Sequence, residues 1–245
     1  MGAYFEDRPD RTALAVLSAA FGAAEFVVSE LPDTDWVAHV RRELSPVEAG
    51  QFFVYGSHDA DKVPEGRIAL LIEAAMAFGT GHHGTTLGCL RALDMLADQG
   101  VAPRNVADIG CGTAVLAMAA ARLWDVPNFA TDIDPIAVEV AEANLAANEL
   151  TGRVNCLVAA GFDHPDLAKA APFDLVFANI LMGPLIDLAP DMARMTASGG
   201  HVILSGLLNE QAEEVIRIYT QSGFNLFDHQ EIVDWSTLIL TRSDT

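Results

Sequence analysis

The sequence predicts an α/β protein, with a mostly parallel sheet covered by helices on both faces and a small α+β lobe ahead of it. Three observations carry this. From about Thr85 onward, short apolar runs alternate with helical stretches. A pair of glycines stands where the first of those strands runs into a helix, in "NVADIGCGTAVLAMAA". Two strand-like runs with hardly a residue between them, "FNLFDHQEIV" and "WSTLILTR", close the chain. Such a short connection makes a hairpin, so the last strand runs antiparallel to its neighbour.

The elements follow in order. "TALAVLSAAFG" (12–22) reads as a helix ending at Gly22, a residue suited to a C-cap. A strand is expected at 25–31 and a helix at 35–44, where Trp36, Val40 and Leu44 recur at helical spacing. "QFFVYG" (51–56) is a second strand candidate, and the polar "SHDADKVPEG" (57–66) reads as a connector. The expected domains are therefore a small lobe over 1–56, a linker over 57–70 and a main domain over 71–245. In the main domain, "TTLGCLRALDMLADQG" (85–100) is an amphipathic helix opened by a threonine pair suited to capping and closed by Gly100. Strands at 105–110, 128–134, 153–159, 173–180 and 201–206 alternate with helices at 114–124, 135–150, 184–196 and 210–223. Pro135 sits in a first turn, where its missing N–H costs nothing.

Composition narrows the function. Apolar residues make up 51% of the chain, enough for a sizeable core. The formal net charge of −20 repels nucleic-acid backbones, so direct nucleic-acid binding is not expected. The acidity would instead attract a basic partner, or simply aid solubility. Cys89, Cys111 and Cys156 are odd in number and far apart, which argues for a reducing compartment and against a disulfide frame or a zinc ribbon. The start "MGAYFEDRPD" shows no leader pattern, and the apolar run "IALLIEAAMAF" is broken by Glu73. A cytoplasmic monomer with no membrane partner is expected.

The glycine turn carries the chemistry. Gly110 and Gly112 follow a strand and open a helix, where a ligand can approach the backbone at the helix N-terminus. Asp132 lies 22 residues after Gly110 at the end of the next strand, where a carboxylate can accept from both ribose hydroxyls. An adenosine-bearing cofactor fits this order. The dinucleotide fingerprint needs a third glycine where Val115 stands, so NAD and FAD are disfavoured. Asp108 completes a D-x-G-x-G pattern, which is similar to the first motif of S-adenosylmethionine-dependent methyltransferases of the Rossmann-like class. In that class the motif cradles the methionine end of the cofactor, and a seven-stranded sheet ends in one antiparallel strand. Asp134 is better read as the cap of the helix starting at Pro135. Asn179 ends the fourth strand, at the crevice where ligands bind in open α/β sheets.

A closer resemblance rests on six runs. These are "DWVAHVRRELSPVEAGQFFVYGSHD", "AMAFGTGHHGTT", "DIGCGTAVLA", "ATDIDPIAVEVAEANLAAN", "ANILMGPLIDLAPDM" and "GGHVILSGLL". From about Asp35 onward the chain resembles the ribosomal protein L11 methyltransferases, the PrmA family. The resemblance implies methylation of lysine side chains and an N-terminal amine on a basic ribosomal protein. It also implies that Thr86, Gly110, Asp132 and Asn179 contact the cofactor and that the lobe over 1–56 recognises the substrate; the place of Asn179 at the strand end further suggests that its amide orients the amine. This chain departs from the family at Gly84, where proline is usual, at Ala114, where glycine is usual, and in a short N-terminal lobe.

Rival readings are weaker. His82 and His83 are adjacent and lack a third ligand nearby, so no metal site is expected. Gly79 and Gly84 have the spacing of a phosphate loop, but Thr85 stands where its lysine must be. The alternative that stays open is a scaffold binding an adenosine cofactor and a basic partner without catalysis.

Overall fold

The computed structural model describes residues 9–22, 24, 26, 28, 46–72 and 84–244. It divides the chain into two compact units, Met1–Trp36 and Val37–Thr245.

The first unit contains helix α1 (Arg11–Phe21). Asp10 caps it, accepting from the Thr12 amide at 2.7 Å. Gly22, at φ 60°, ends it as a left-handed residue whose N–H returns to the Ser18 carbonyl. That conformation is open to glycine without the Cβ penalty other residues incur. The helix expected at 35–44 lies outside the described residues, as does most of the strand expected at 25–31.

The second unit holds two sheets. The smaller consists of β1 (Val47–Ala49), β2 (Phe52–Tyr55) and β3 (Ile68–Leu71). β1 and β2 form a hairpin, and β3 joins β2 in parallel. Gly50 turns the hairpin at φ 58°, and a Cβ there would run into the side chain of Asp94. That carboxylate accepts from the Gln51 amide at 3.2 Å and from its side chain at 2.8 Å. Residues 68–70, counted from sequence with the linker, thus belong to a strand that ends at Leu71, and the polar run before them joins two strands of one sheet. Asp59, buried in that run, accepts from Lys62 at 2.6 Å.

The larger sheet has the order β6-β5-β4-β7-β8-β10-β9. Its strands are β4 (Val106–Ile109), β5 (Asn128–Asp132), β6 (Asn155–Val158), β7 (Phe173–Asn179), β8 (Thr196–Leu208), β9 (Phe224–Ile232) and β10 (Trp235–Arg242). β4 to β8 pair in parallel, while β10 runs antiparallel to both β8 and β9. The expected seven strands and terminal hairpin are present. The helices are α2 (Gly84–Asp98), α3 (Val115–Leu123), α4 (Pro135–Ala147), α5 (Pro165–Ala170), α6 (Met182–Met195) and α7 (Ala212–Gln221). The short α5 and strand β1 are additions to the sequence reading. The threonine pair expected at the cap of α2 lies within its first turn, because the helix starts at Gly84.

The core forms on both faces of the larger sheet, as a parallel sheet requires. Along β4, Val106 enters one apolar cluster with α2 and α3, while Ala107 and Ile109 enter the other, with α6 and α7. Asn148, just after α4, fixes β3 to this body. Its side chain accepts from the Leu71 amide at 2.8 Å and donates to the Leu71 carbonyl at 2.7 Å, as a neighbouring strand would.

Candidate active site

The site is assembled at the carboxyl ends of β4, β5 and β7. After β4 the chain turns through Gly110 (φ 72°), Gly112 (φ 52°) and Ala114 (φ 59°) before entering α3. The amides of Gly110 and Cys111 both donate to the Thr131 carbonyl at 2.8 Å, tying the turn to the end of β5. Ala114 takes the left-handed conformation for which glycine is the usual residue, and its side chain is fully buried. Alanine here carries a strain that an L side chain incurs and glycine does not.

Asp132 ends β5 next to this turn. Its carboxylate accepts from the Gly112 amide at 2.9 Å through Oδ2 and from the Asp134 amide at 3.0 Å through Oδ1. Asp134 in turn accepts from the Ile136 amide at 2.9 Å and caps α4, the role expected of it. Gly110, Gly112 and Asp132 are thus brought to one place.

Asp108 lies beneath the turn, 1% exposed. Its Oδ2 accepts from the Ala117 amide at 3.1 Å, and its Oδ1 has no hydrogen-bond partner among the described residues. Burial pushes this carboxyl up from its ordinary range to about 7. The Ala117 N–H opposes that rise, and the charge of Asp132 adds to it. An unsatisfied buried carboxylate oxygen is a costly feature that a cationic or hydrogen-bonding ligand would relieve.

Asn179 ends β7 and donates through Nδ2 to the Thr86 hydroxyl at 3.3 Å. Thr86 is buried in the first turn of α2. Between Asn179 and α6, Ile180 is hemmed in by two glycines. A Cβ on Gly110 would lie 2.3 Å from the Ile180 side chain, and one on Gly206 would lie 2.2 Å from the Ile180 carbonyl oxygen. Ile180 and Gly206 were not singled out from sequence. The only signal was the glycine in "LSGLL", which gives no hint of its partner 26 positions earlier.

The start of α2 is confined as well, though less tightly. A Cβ on Gly84 would meet the Trp235 ring at 3.1 Å and the Ile232 carbonyl at 3.3 Å. The glycine that departs from the family pattern thus lets the helix sit tightly on the β9–β10 hairpin. His82, His83 and the rest of the loop before Gly84 lie outside the described residues. Among those described, no group of three acidic, histidine or cysteine side chains could hold a metal ion, and no helix is long and apolar enough to cross a membrane.

This sheet order and this cluster of glycines and carboxylate at the strand ends define a Rossmann-like methyltransferase fold. Structural likeness agrees. The crystal structure of ribosomal protein L11 methylase from Lactobacillus delbrueckii subsp. bulgaricus matches with a TM-score of 0.71 at 24% identity, over 82% of this chain and 99% of that one. The 16S rRNA N2 G1207 methyltransferase of T. thermophilus matches with a TM-score of 0.57 at 20% identity, over 68% of this chain and 45% of that one. The family described as ribosomal protein L11 methyltransferase (PrmA) matches residues 1–243, and the chain belongs to it. The ribosomal protein L11 methyltransferase of Brucella abortus (strain S19) is 46% identical over 241 residues, 97% of this chain and 83% of that protein. That of Brucella suis (strain ATCC 23445 / NCTC 10510) is 49% identical over 220 residues, 90% of this chain and 76% of that protein. A non-catalytic scaffold is not favoured by these relationships.

Proposed function

We propose that this chain transfers methyl groups from S-adenosylmethionine to amines of ribosomal protein L11, lysine side chains and the N-terminal amine among them. The observation that carries the cofactor assignment is the unsatisfied Oδ1 of buried Asp108 under the glycine turn, with the Asp132 carboxylate beside it. The open backbone at Gly110 and Gly112 and the Asp108 carboxylate would hold the methionine end, while Asp132 would accept from the ribose hydroxyls. Thr86 and Asn179 would complete the contacts. The sulfonium supplies an activated methyl group, so the protein's task is positioning.

The chain's own residues then orient the amine. Asn179 gives Nδ2 to Thr86, which turns the amide so that Oδ1 is available to accept an N–H from the incoming amine. A lysine ammonium must lose a proton before attack. Backbone oxygens near the end of β7 and the Asn179 amide align the neutral amine, and water takes the proton. The lobe over 1–56 serves substrate recognition, and the enzyme acts as a cytoplasmic monomer on a basic protein without contacting nucleic acid.

The test is incubation of the purified chain with S-adenosylmethionine and ribosomal protein L11, followed by intact-mass spectrometry. Mass gains in multiples of one methyl are expected. No gain, with cofactor binding intact by calorimetry, defeats the substrate assignment and leaves the cofactor assignment standing.

A further inference from the structure

The two ends of the larger sheet differ in charge. Arg104, Arg122, Arg153, Lys169, Arg194 and Arg242 all lie at its amino end, in the connections there or in the last turns of the elements that finish there. At the carboxyl end, the connections 110–114, 133–134, 159–164, 180–181, 209–211 and 233–234 contain no lysine or arginine.

Half of this cation-free end belongs to the cofactor turn and Asp132. The other half lies over β7, β8 and the β9–β10 hairpin. There Asp187, Glu210, Glu213 and Asp234 are all exposed, and none has an ion-pair partner among the described residues. Two large apolar side chains stand exposed on this half of the rim. Leu181, two positions after Asn179, is 73% exposed, and Val233 at the hairpin tip is 84% exposed. The tip is held in place, since the Asn209 side chain donates to the Val233 carbonyl at 2.9 Å and its amide donates to the Asp234 carbonyl at 3.0 Å. It is also continuous with the reaction centre. Ile232 and Trp235 flank Gly84, two residues before the Thr86 that bonds Asn179.

Exposed apolar side chains on a fixed rim mark an interaction surface, and the surrounding charge selects the partner. We infer that this half of the rim docks the substrate polypeptide through a basic segment that also carries apolar side chains. Its cations face Asp187, Glu210, Glu213 and Asp234, its apolar side chains cover Leu181 and Val233, and the target amine reaches Asn179. The inference rests on the functional reading above, and a nucleic-acid partner is disfavoured by the lack of lysine and arginine in these connections.

The experiment uses the full chain with S-adenosylmethionine and ribosomal protein L11. The triple variant Asp187→Asn/Glu210→Gln/Asp234→Asn should raise KM for the protein substrate about tenfold. Its dependence of KM on salt should fall, because exposed charge pairs are screened. Cofactor affinity by calorimetry should stay within about twofold, since these side chains do not meet the glycine turn. Neutralising Asp125, Glu149 and Asp191 at the other end should leave KM unaltered. Val233→Asn separates docking from folding. Asparagine suits the left-handed backbone at φ 55°, so its melting temperature should hold or rise while KM rises severalfold. An active wild-type chain with unaltered KM and salt dependence in both rim variants overturns the docking surface alone. A wild-type chain that transfers no methyl to the protein overturns the functional reading, and this inference with it.

Discussion

The side-chain amide of Asn179 donates to the hydroxyl of Thr86 at 3.3 Å, across 93 positions of sequence. One residue closes the fourth parallel strand of the sheet and the other lies in the first turn of a helix packed against β8 and β10. Their bond joins the substrate side of the proposed site to the helix that precedes the glycine turn.

That bond predicts coupled behaviour. Asn179→Ala should lower methyl transfer by about a hundredfold while changing cofactor affinity far less, as expected for a group that positions the reacting amine. Thr86→Val keeps the shape and removes the acceptor, and should weaken S-adenosylmethionine binding as well as turnover. The double variant should fall short of additivity by about 0.5–1.5 kcal/mol, the worth of a hydrogen bond. Strict additivity in steady-state kinetics would separate the two residues functionally.

Asp108 makes stability depend on pH in a defined direction. Its carboxyl is raised from 3.8 to about 7 in the folded chain, chiefly by burial. Well below the unfolded value of 3.8 both folded and unfolded chains hold the proton, so the stabilising contribution is fully present. Between pH 4 and about 7 the unfolded chain releases the proton first, and the contribution is lost as pH rises through the folded value. The loss in the cofactor-free chain should be of order 1–4 kcal/mol. Denaturant titrations should show this slope in the wild type and a flatter one in Asp108→Asn. Equal slopes would remove Asp108 as the cause.

Ala114 is a buried alanine held at φ 59°. A left-handed alanine costs about 1–2 kcal/mol, and glycine at the same place loses part of that advantage to its freer unfolded chain. Ala114→Gly should therefore stabilise the protein by roughly 0.5 kcal/mol with cofactor affinity retained. Chemical denaturation measures it, and a clear loss of stability would show that the buried methyl outweighs the strain.

Gly206 has φ 84°, and a Cβ there would lie within 3.0 Å of the nitrogen, carbon and oxygen of Ile180. Backbone cannot give way as a side-chain tip can. Gly206→Ala should cost about 2–4 kcal/mol and displace Asn179, so activity should fall with stability. Gly110→Ala meets only the Ile180 side chain and should cost less stability, with its main effect on cofactor binding. The reverse ranking in thermal melts would refute this account of how Ile180 is held.

Much of the larger domain was legible from local signals. The inner strands β4 and β7 are mostly apolar runs, because both faces of a parallel sheet are buried there and no alternation is needed. The order strand, Asp108, Gly110, Gly112, helix, strand, Asp132 is a local pattern, since each residue acts where its own segment ends. Asp134 was readable as a cap for the same reason, because a cap bonds two residues ahead. The helix of the threonine pair starts one residue earlier than its capping signal implies, because a glycine start gives no side-chain capping signal. The helix α5 has six residues and too little periodicity to stand out. Strand β3 opens the longer apolar run "IALLIEAAMAF", and its pairing with β2 is nonlocal, so no local signal separates it as a strand.

The sequence by itself determined the layered α/β fold, the glycine turn after β4 and the carboxylates around it, because these depend on residues within one turn or one strand of each other. Tertiary structure alone decided what those residues face. It set Thr86 against Asn179, closed Gly206 on Ile180, left one oxygen of Asp108 unsatisfied and brought Asp187, Glu210, Glu213 and Asp234 to one end of the sheet. Each of these depends on pairs far apart in the chain whose distance is fixed only when the strands have taken their order, and no local pattern encodes that order.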